Sequence, residues 1–246
     1  MRIDPRLAER RREVAEDRAR RRVSRLVNLL VAIGVLGALV WLFLSPLLSV
    51  ASVTTSGIAA SSAETVLVEQ GVVPGTPLIL IRAGNVESAL ETDPWVRESV
   101  VEIDWPTGVV VRVEERVPVG WLETEEGWGL FAVDGVQLAT APDPDPSMPW
   151  VQLGAVPIDE TESSPDILGS LEFAATLPDE LKAGARVRTE PGGEIWAEVT
   201  GLQVRLGRPV EMAAKALSLA ALLREQPAPG STLTLIAPTH PAISPP

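Results

Sequence analysis

"DPWVRESVVEIDWPTGVVVRVEERVPV", residues 93–119, reads as two charged, β-branched strands around a tight turn. Val101, Ile103 and Trp105 share one face of the first strand, and Glu98, Glu102 and Asp104 share the other. On the second strand Val109, Val111 and Val113 oppose Arg112, Glu114 and Arg116. A two-residue loop would pair Ile103 with Val110 and mix the faces. A three-residue loop, Pro106-Thr107-Gly108, pairs Trp105 with Val109, Ile103 with Val111 and Val101 with Val113. It also sets Glu102 beside Arg112 and Glu98 beside Arg116. The expected turn is type I with a left-handed Gly108 as the bulge residue. Such exposed charge pairs contribute about 0.2–1 kcal/mol each, so the apolar face matters more.

The residues before the hairpin supply its partners. "VASVTTSG" (50–57) has a strand pattern that stops at Gly57. Ser61-Ser62-Ala63-Glu64 fits a capping box with Ser61 as N-cap, opening a helix with Ala63, Val66 and Leu67 on one face and Gly71 beyond it. "PGTPLILI" (74–81) predicts a turn and a short helical segment. Asn85 is a candidate cap for a second helix bearing Val86, Ala89 and Leu90, halted by Asp93-Pro94. The order strand, helix, helix, strand, strand predicts a small α+β unit, its sheet covered on one face by helices.

Farther upstream, Leu26–Leu48 carries no charge in 23 positions. At 1.5 Å per residue it spans roughly 34 Å, enough for a hydrocarbon core of about 30 Å. Ser45 and Pro46 predict a loosened far end, with Trp41 and Phe43 near that interface. Residues 1–25 hold ten arginines and five acidic residues, net +5, which leaves −17 on the rest of a chain whose net charge is −12. The arginines put the N-terminus in the cytoplasm and the later residues outside. A cleaved leader is the competing reading, since Ser49-Val50-Ala51 resembles a cleavage site, but the apolar run exceeds the usual 7–15 residues. Gly34 and Ala38 form a small-xxx-small face suited to packing against another membrane helix. The general abundance of Gly and Ala in such helices is the preferred explanation of the pair.

Downstream, "VGWLETEEGWGLFAVDGVQLA" (119–139) predicts strands joined by tight turns, with Asp134-Gly135 a hairpin signal. "PDPDPSMP" (142–149) is a rigid loop. A helix is expected at 165–177, strands within 194–207, a helix within 208–227 bearing Met212, Leu219, Leu222 and Leu223, and a last strand at 231–238.

Candidate chemistry is sparse. The chain has no cysteine and one histidine, His240, in a proline-rich segment without triad or metal partners in the sequence. Glu114 and Glu115 are neighbours on a strand and point to opposite faces, while Glu123, Glu125 and Glu126 read as a solvated turn. No phosphate-cradling loop occurs, and −17 outside the membrane disfavours nucleic acid. No cofactor, metal or small-molecule substrate is expected. Surfaces and strand edges remain: Thr232, Leu233, Thr234, Leu235 and Ile236, continued by His240–Ser244 with Ala242 and Ile243, form a candidate for strand addition.

A basic tail, one anchor, a βααββ module and the elements Pro94-Trp95-Val96, Trp105-Pro106 and Val113-Glu114-Glu115-Arg116-Val117-Pro118 together resemble the bacterial FtsQ/DivIB cell-division family. The resemblance implies a tail at 1–25, a transmembrane helix at 26–48, a POTRA domain at 50–117 and a mixed β-rich domain with flanking helices at 118–244. It implies a non-enzymatic scaffold of the inner membrane at the division septum, touching lipid and binding FtsB- and FtsL-type partners. Family members bind these chiefly through their C-terminal strands, and the resemblance carries that role to residues 232–236, 242 and 243. The alternatives are a POTRA-bearing export component and a membrane-anchored envelope hydrolase acting through Glu123 or Glu125.

Overall fold

A computed structural model describes residues 5–57, 60–124, 127–153, 164–190 and 192–246, with side chains from Ser24 onward except those of 60–62 and 153. The chain is α+β and divides into two compact units, Met1–Glu91 with Glu98–Glu114, and Thr92–Arg97 with Glu115–Pro246.

In the first unit, helix α1 (Pro5–Phe43) contains a 20-residue apolar stretch, Ser24–Phe43, long enough to cross a membrane. The helix stops there and gives way to a 3-10 turn at Pro46–Leu48. Strand β1 (Ser52–Ser56), helices α2 (Ala60–Glu69) and α3 (Ala83–Leu90), and strands β2 (Val96–Asp104) and β3 (Gly108–Glu115) follow in the expected order. The sheet order is β1-β3-β2, with β1 parallel to β3. Ala63, Leu67, Val86 and Leu90 from the helices are buried, as are Val101, Val109, Val111 and Val113 from the sheet. Gly57 ends β1 with φ +89°, and a Cβ there would lie 1.8 Å from the carbonyl oxygen of Val113. Only glycine lets β1 finish this close to β3.

Several local expectations need correction. α2 already includes Ser61, and α3 begins two residues before Asn85, with Arg82 at its N-cap and no side-chain cap bond. The hairpin turns on a cis Trp105–Pro106 peptide, and Gly108 is not left-handed. Gly108 instead allows a close approach, because a Cβ would sit 3.0 Å from the Asp104 Cβ and 3.1 Å from its carbonyl oxygen, tight enough that the turn would have to give slightly. Arg112 pairs with Glu102 at 2.9 Å, as the three-residue register requires. Arg116 engages Asp134 rather than the expected Glu98. Trp105 is half exposed rather than buried, and it stands edge-on to Phe43 with centroids 6.5 Å apart.

The second unit is built on a nine-stranded sheet. Its strands are β4 (Pro118–Thr124), β5 (Gly127–Ala132), β6 (Gln137–Ala141), β7 (Trp150–Leu153), β8 (Arg186–Glu190), β9 (Glu194–Val199), β10 (Leu202–Gly207), β11 (Thr232–Thr234) and β12 (Ala242–Ser244), in the order β12-β11-β10-β9-β8-β7-β4-β5-β6. Helix α4 (Pro165–Thr176) and the short α5 (Asp179–Lys182) cross from β7 to its parallel neighbour β8, and α6 (Met212–Leu223) crosses from β10 to its parallel neighbour β11. Both longer helices cover the same face, where Ile167, Leu171 and Phe173 of α4 and Met212, Ala216 and Leu219 of α6 meet Val187, Ala197, Val204 and Leu233 of the sheet. Gly169 allows the closest approach, since a Cβ on it would stand 2.5 Å from the Pro209 side chain. The opposite face carries its own ladder: the Arg188 and Arg205 guanidinium groups lie 5.7 and 5.8 Å from the Trp196 ring, and that of Arg186 lies 5.2 Å from Trp150.

Candidate functional site

The residues singled out for partner binding fall on two adjacent strands with different exposures. β11 is not the edge of the sheet. It pairs with β10 in parallel, Val204 opposite Leu233, and with β12 antiparallel, Leu233 opposite Ile243. Leu233 and Leu235 are fully buried, Thr232 and Thr234 half-buried, and Ile236 is 49% exposed. β12 is the outer strand, and Ala242, Ile243 and Ser244 are all exposed. The expected continuous edge from 232 to 244 is therefore corrected to a folded-back pair. A turn in which the His240 amide donates to the Ala237 carbonyl reverses the chain between them. Pro238 and Pro241 were the sequence signal for that reversal.

The support behind this edge is packed and hydrogen-bonded. Ile243 lies in register with Leu233, on the helix-covered face, and remains 43% exposed because the cover thins toward the edge. α6 is pinned by Lys215, whose Nζ donates to the carbonyl oxygens of Leu206 at 2.7 Å and Arg208 at 2.8 Å. These carbonyls lie at the end of β10 and just beyond it, so an α6 side chain ties the helix to the strand that precedes it. Burial lowers the Lys215 pKa, opposed in part by the nearby Glu211 carboxylate. The Ser218 hydroxyl donates to Pro238 at 2.9 Å, tying the same helix to the reversal before β12.

Among the described residues, no side chain bonds the main chain of Ala242–Ser244. The outer edge of β2 is treated differently. The amides of Ser99 and Val101 donate to the Glu91 and Glu87 carboxylates at 3.1 and 2.8 Å. The Ser99 hydroxyl donates to the Glu87 carbonyl at 3.1 Å. The small sheet thus has a β2 edge stoppered by α3. Glutamates at i and i+4 of a predicted helix were the readable sign of this device.

The remaining candidates are scattered. Gly34 and Ala38 lie exposed on α1, and a Cβ on Gly34 would touch nothing within 4 Å. His240 is exposed, its Nδ1 2.9 Å from the Thr239 hydroxyl. Glu123 is exposed and accepts from Gln152 at 3.4 Å, while Glu125 and Glu126 lie outside the described residues. Arg116 is structural. Its Nε donates to Asp134 at 2.8 Å and its Nη1 to the carbonyls of Pro94 and Val96, which fixes the residues 94–96 against the β5–β6 turn. Burial alone would raise the Asp134 pKa, but the hydrogen bond and charge of Arg116 outweigh it and hold the carboxyl below its ordinary value.

Residues 48–116 match the family model described as a POTRA domain of FtsQ type. The chain is 30% identical over 204 residues to the cell division protein FtsQ of Mycobacterium leprae (strain Br4923), covering 82% of this chain and 58% of that protein. It is 30% identical over 221 residues to the FtsQ of Mycolicibacterium smegmatis (strain ATCC 700084 / mc(2)155), covering 89% and 62%. For the FtsQ of Streptomyces griseus the identity is 30% over 206 residues, covering 80% of this chain and 97% of the relative. The chain thus spans about three-fifths of the length of the first two relatives and nearly all of the third.

Proposed function

The chain belongs to the FtsQ family, and on that premise we propose that it serves bacterial cell division as a non-enzymatic scaffold, joining early and late division proteins and helping to regulate septal wall synthesis. Its working parts are the basic tail at 1–25, the apolar span, which as helix covers Ser24–Phe43 and stops short of the expected Leu48, the POTRA domain at 50–117 and the β domain at 118–244. The arginines before the span favour a cytoplasmic N-terminus and both folded units outside. The family likeness supports residence at the septum and partners of the FtsB and FtsL type.

The observation that carries this reading is the open main chain of β12, backed by apolar Ile243 and Ile236. An extended segment of a partner gains main-chain hydrogen bonds by pairing there, and exposed isoleucines supply apolar contact. Such recognition needs no reactive side chain.

The test is co-purification of FtsB- and FtsL-type partners with the full chain and with Ile243→Asp. A charge at this exposed position is expected to lower capture at least about tenfold, which is about 1.4 kcal/mol, with circular dichroism and Tm unchanged. Undiminished capture contradicts the reading. Leu235 is unsuitable for this purpose, because it is fully buried and a charge there would disturb the fold. Depletion of the protein is expected to give filamentous cells, and normal septation after depletion also contradicts it.

A further inference from the structure

The junction between α1 and the small sheet is a folded knot rather than a free stalk. Ser45 caps the 3-10 turn, its hydroxyl oxygen accepting from the Leu47 amide at 3.3 Å, and the Ser49 hydroxyl donates to Pro46 at 2.8 Å. Ser45, Ser49 and Val50 are buried. The Val50 amide donates to Thr76 at 2.9 Å, the Gly75 amide returns a bond to Val50 at 2.9 Å, and Ser49 bridges Pro77. The Ala51 amide donates to Thr107, in the turn of the β2–β3 hairpin, at 2.8 Å. Residues 43–52, 75–80 and 105–108 are therefore bonded together where the apolar span ends.

This end of the unit presents apolar side chains to solvent. Leu44 is 50% exposed and Leu47 67%. Ile79 and Leu80 follow Pro77 in a second 3-10 turn and are 52% and 61% exposed, while only Leu78 of that turn is buried. Trp105 at the hairpin tip is 50% exposed and touches Phe43, the last residue of the span. Arg82, exposed, comes two residues after Leu80. These exposed apolar side chains, carried by bonded segments and followed by Arg82, have one neighbour fixed by chain connectivity: the bilayer that α1 enters. Trp prefers the headgroup level, and Arg favours anionic headgroups.

We propose that this face, made by Leu47, Ile79, Leu80 and Trp105, is a membrane-docking surface that seats the small unit in the headgroup–acyl boundary of its own membrane. The occupant is lipid, because the segment bonded to all three parts of the face is the one that emerges from the bilayer. Docking fixes the height and tilt of the β1-β3-β2 sheet above the membrane, which a flexible tether cannot do. The inference rests on the reading of Ser24–Phe43 as a retained anchor.

The chain has no cysteine, so single introduced cysteines report cleanly. The full chain is reconstituted in vesicles of phosphatidylethanolamine and phosphatidylglycerol with an environment-sensitive fluorophore at Gly34→Cys, Leu80→Cys or Glu102→Cys. Leu80 is expected to give blue-shifted emission quenched by headgroup-nitroxide lipid, Gly34 emission quenched by nitroxide deep in the acyl chain, and Glu102 the unquenched spectrum of water. Deep quenching at Gly34 with an aqueous Leu80 overturns the docking surface and leaves the anchor standing. An aqueous Gly34 overturns the anchor and the docking surface together. A Leu47→Cys label, in the 3-10 turn that follows α1, is expected to behave as Leu80 does, and an aqueous Leu47 beside a deep Gly34 contradicts the seated geometry.

Discussion

β2 and β12 are both outer strands, and the protein finishes them in opposite ways. The outward amides of β2 are occupied by Glu87 of α3 and Glu91 at its C-cap, and its exposed side chains include the charged Arg97, Glu98, Glu102 and Asp104. β12 is three residues long, wholly exposed, and carries Ala242 and Ile243 without a side chain on its main chain among the described residues. Free strand edges invite association, and proteins blunt the ones they do not use. The far edge of the large sheet is also blunted. The β5–β6 register shifts at Leu130/Phe131, placing an extra residue, Leu138, in β6. The contrast supports the proposal that the open edge at β12 serves a partner.

The contrast can be broken first at β2. Replacing Glu87 and Glu91 together with leucine removes the acceptors of the Ser99 and Val101 amides. Each buried donor left unpaired costs about 1–3 kcal/mol, so the urea midpoint should fall clearly. The bared edge should also give concentration-dependent self-association in sedimentation velocity, and a monodisperse, fully stable double variant would remove the protective role assigned to the glutamates. A smaller effect is expected on the β12 side. Lys215→Met takes its ammonium donor from the Leu206 carbonyl and one of two donors from the Arg208 carbonyl, which keeps the Val210 amide. Part of that loss is offset by relief of burying an ammonium group. A net cost of about 1–2 kcal/mol is expected by denaturant titration, together with weaker partner capture as the support of β11 and β12 loosens.

The smallest effect is a pH dependence that should leave both edges alone. The Asp134 pKa is lowered in the fold, so its pairing with Arg116 stabilises fully above the ordinary carboxylate pKa of about 4 and is lost as pH falls through the lower folded value. Asp134→Asn should flatten that acid-side slope in urea midpoints and leave partner capture at neutral pH unchanged. An unaltered slope would show that the pair contributes nothing to the β domain.

How much of this was readable in the sequence depends on the range of the interactions. The Glu102–Arg112 pair and the face shared by Val101 and Val113 were legible because a hairpin fixes its own register. The turn was misread at one residue: Gly108 serves close approach to Asp104, not a left-handed φ, and sequence alone offers both reasons for a glycine. The edge identity of β12 was hidden because β11 and β12 are only three residues each, too short for alternation to register. The parallel pairs β7–β8 and β10–β11 depend on crossover helices and place in contact residues far apart in the chain. The Arg116–Asp134 clamp, 18 residues apart with strands β4 and β5 between its partners, has no local periodicity to announce it.

Hydrogen–deuterium exchange of the full chain, with and without a reconstituted complex of FtsB- and FtsL-type partners, tests the open edge most directly. The amides of Ala242–Ser244 should exchange quickly in the free protein and gain strong protection in the complex, while those of Ser99 and Val101 stay as they were. A stable complex that leaves 242–244 exchanging at the free rate would contradict the account.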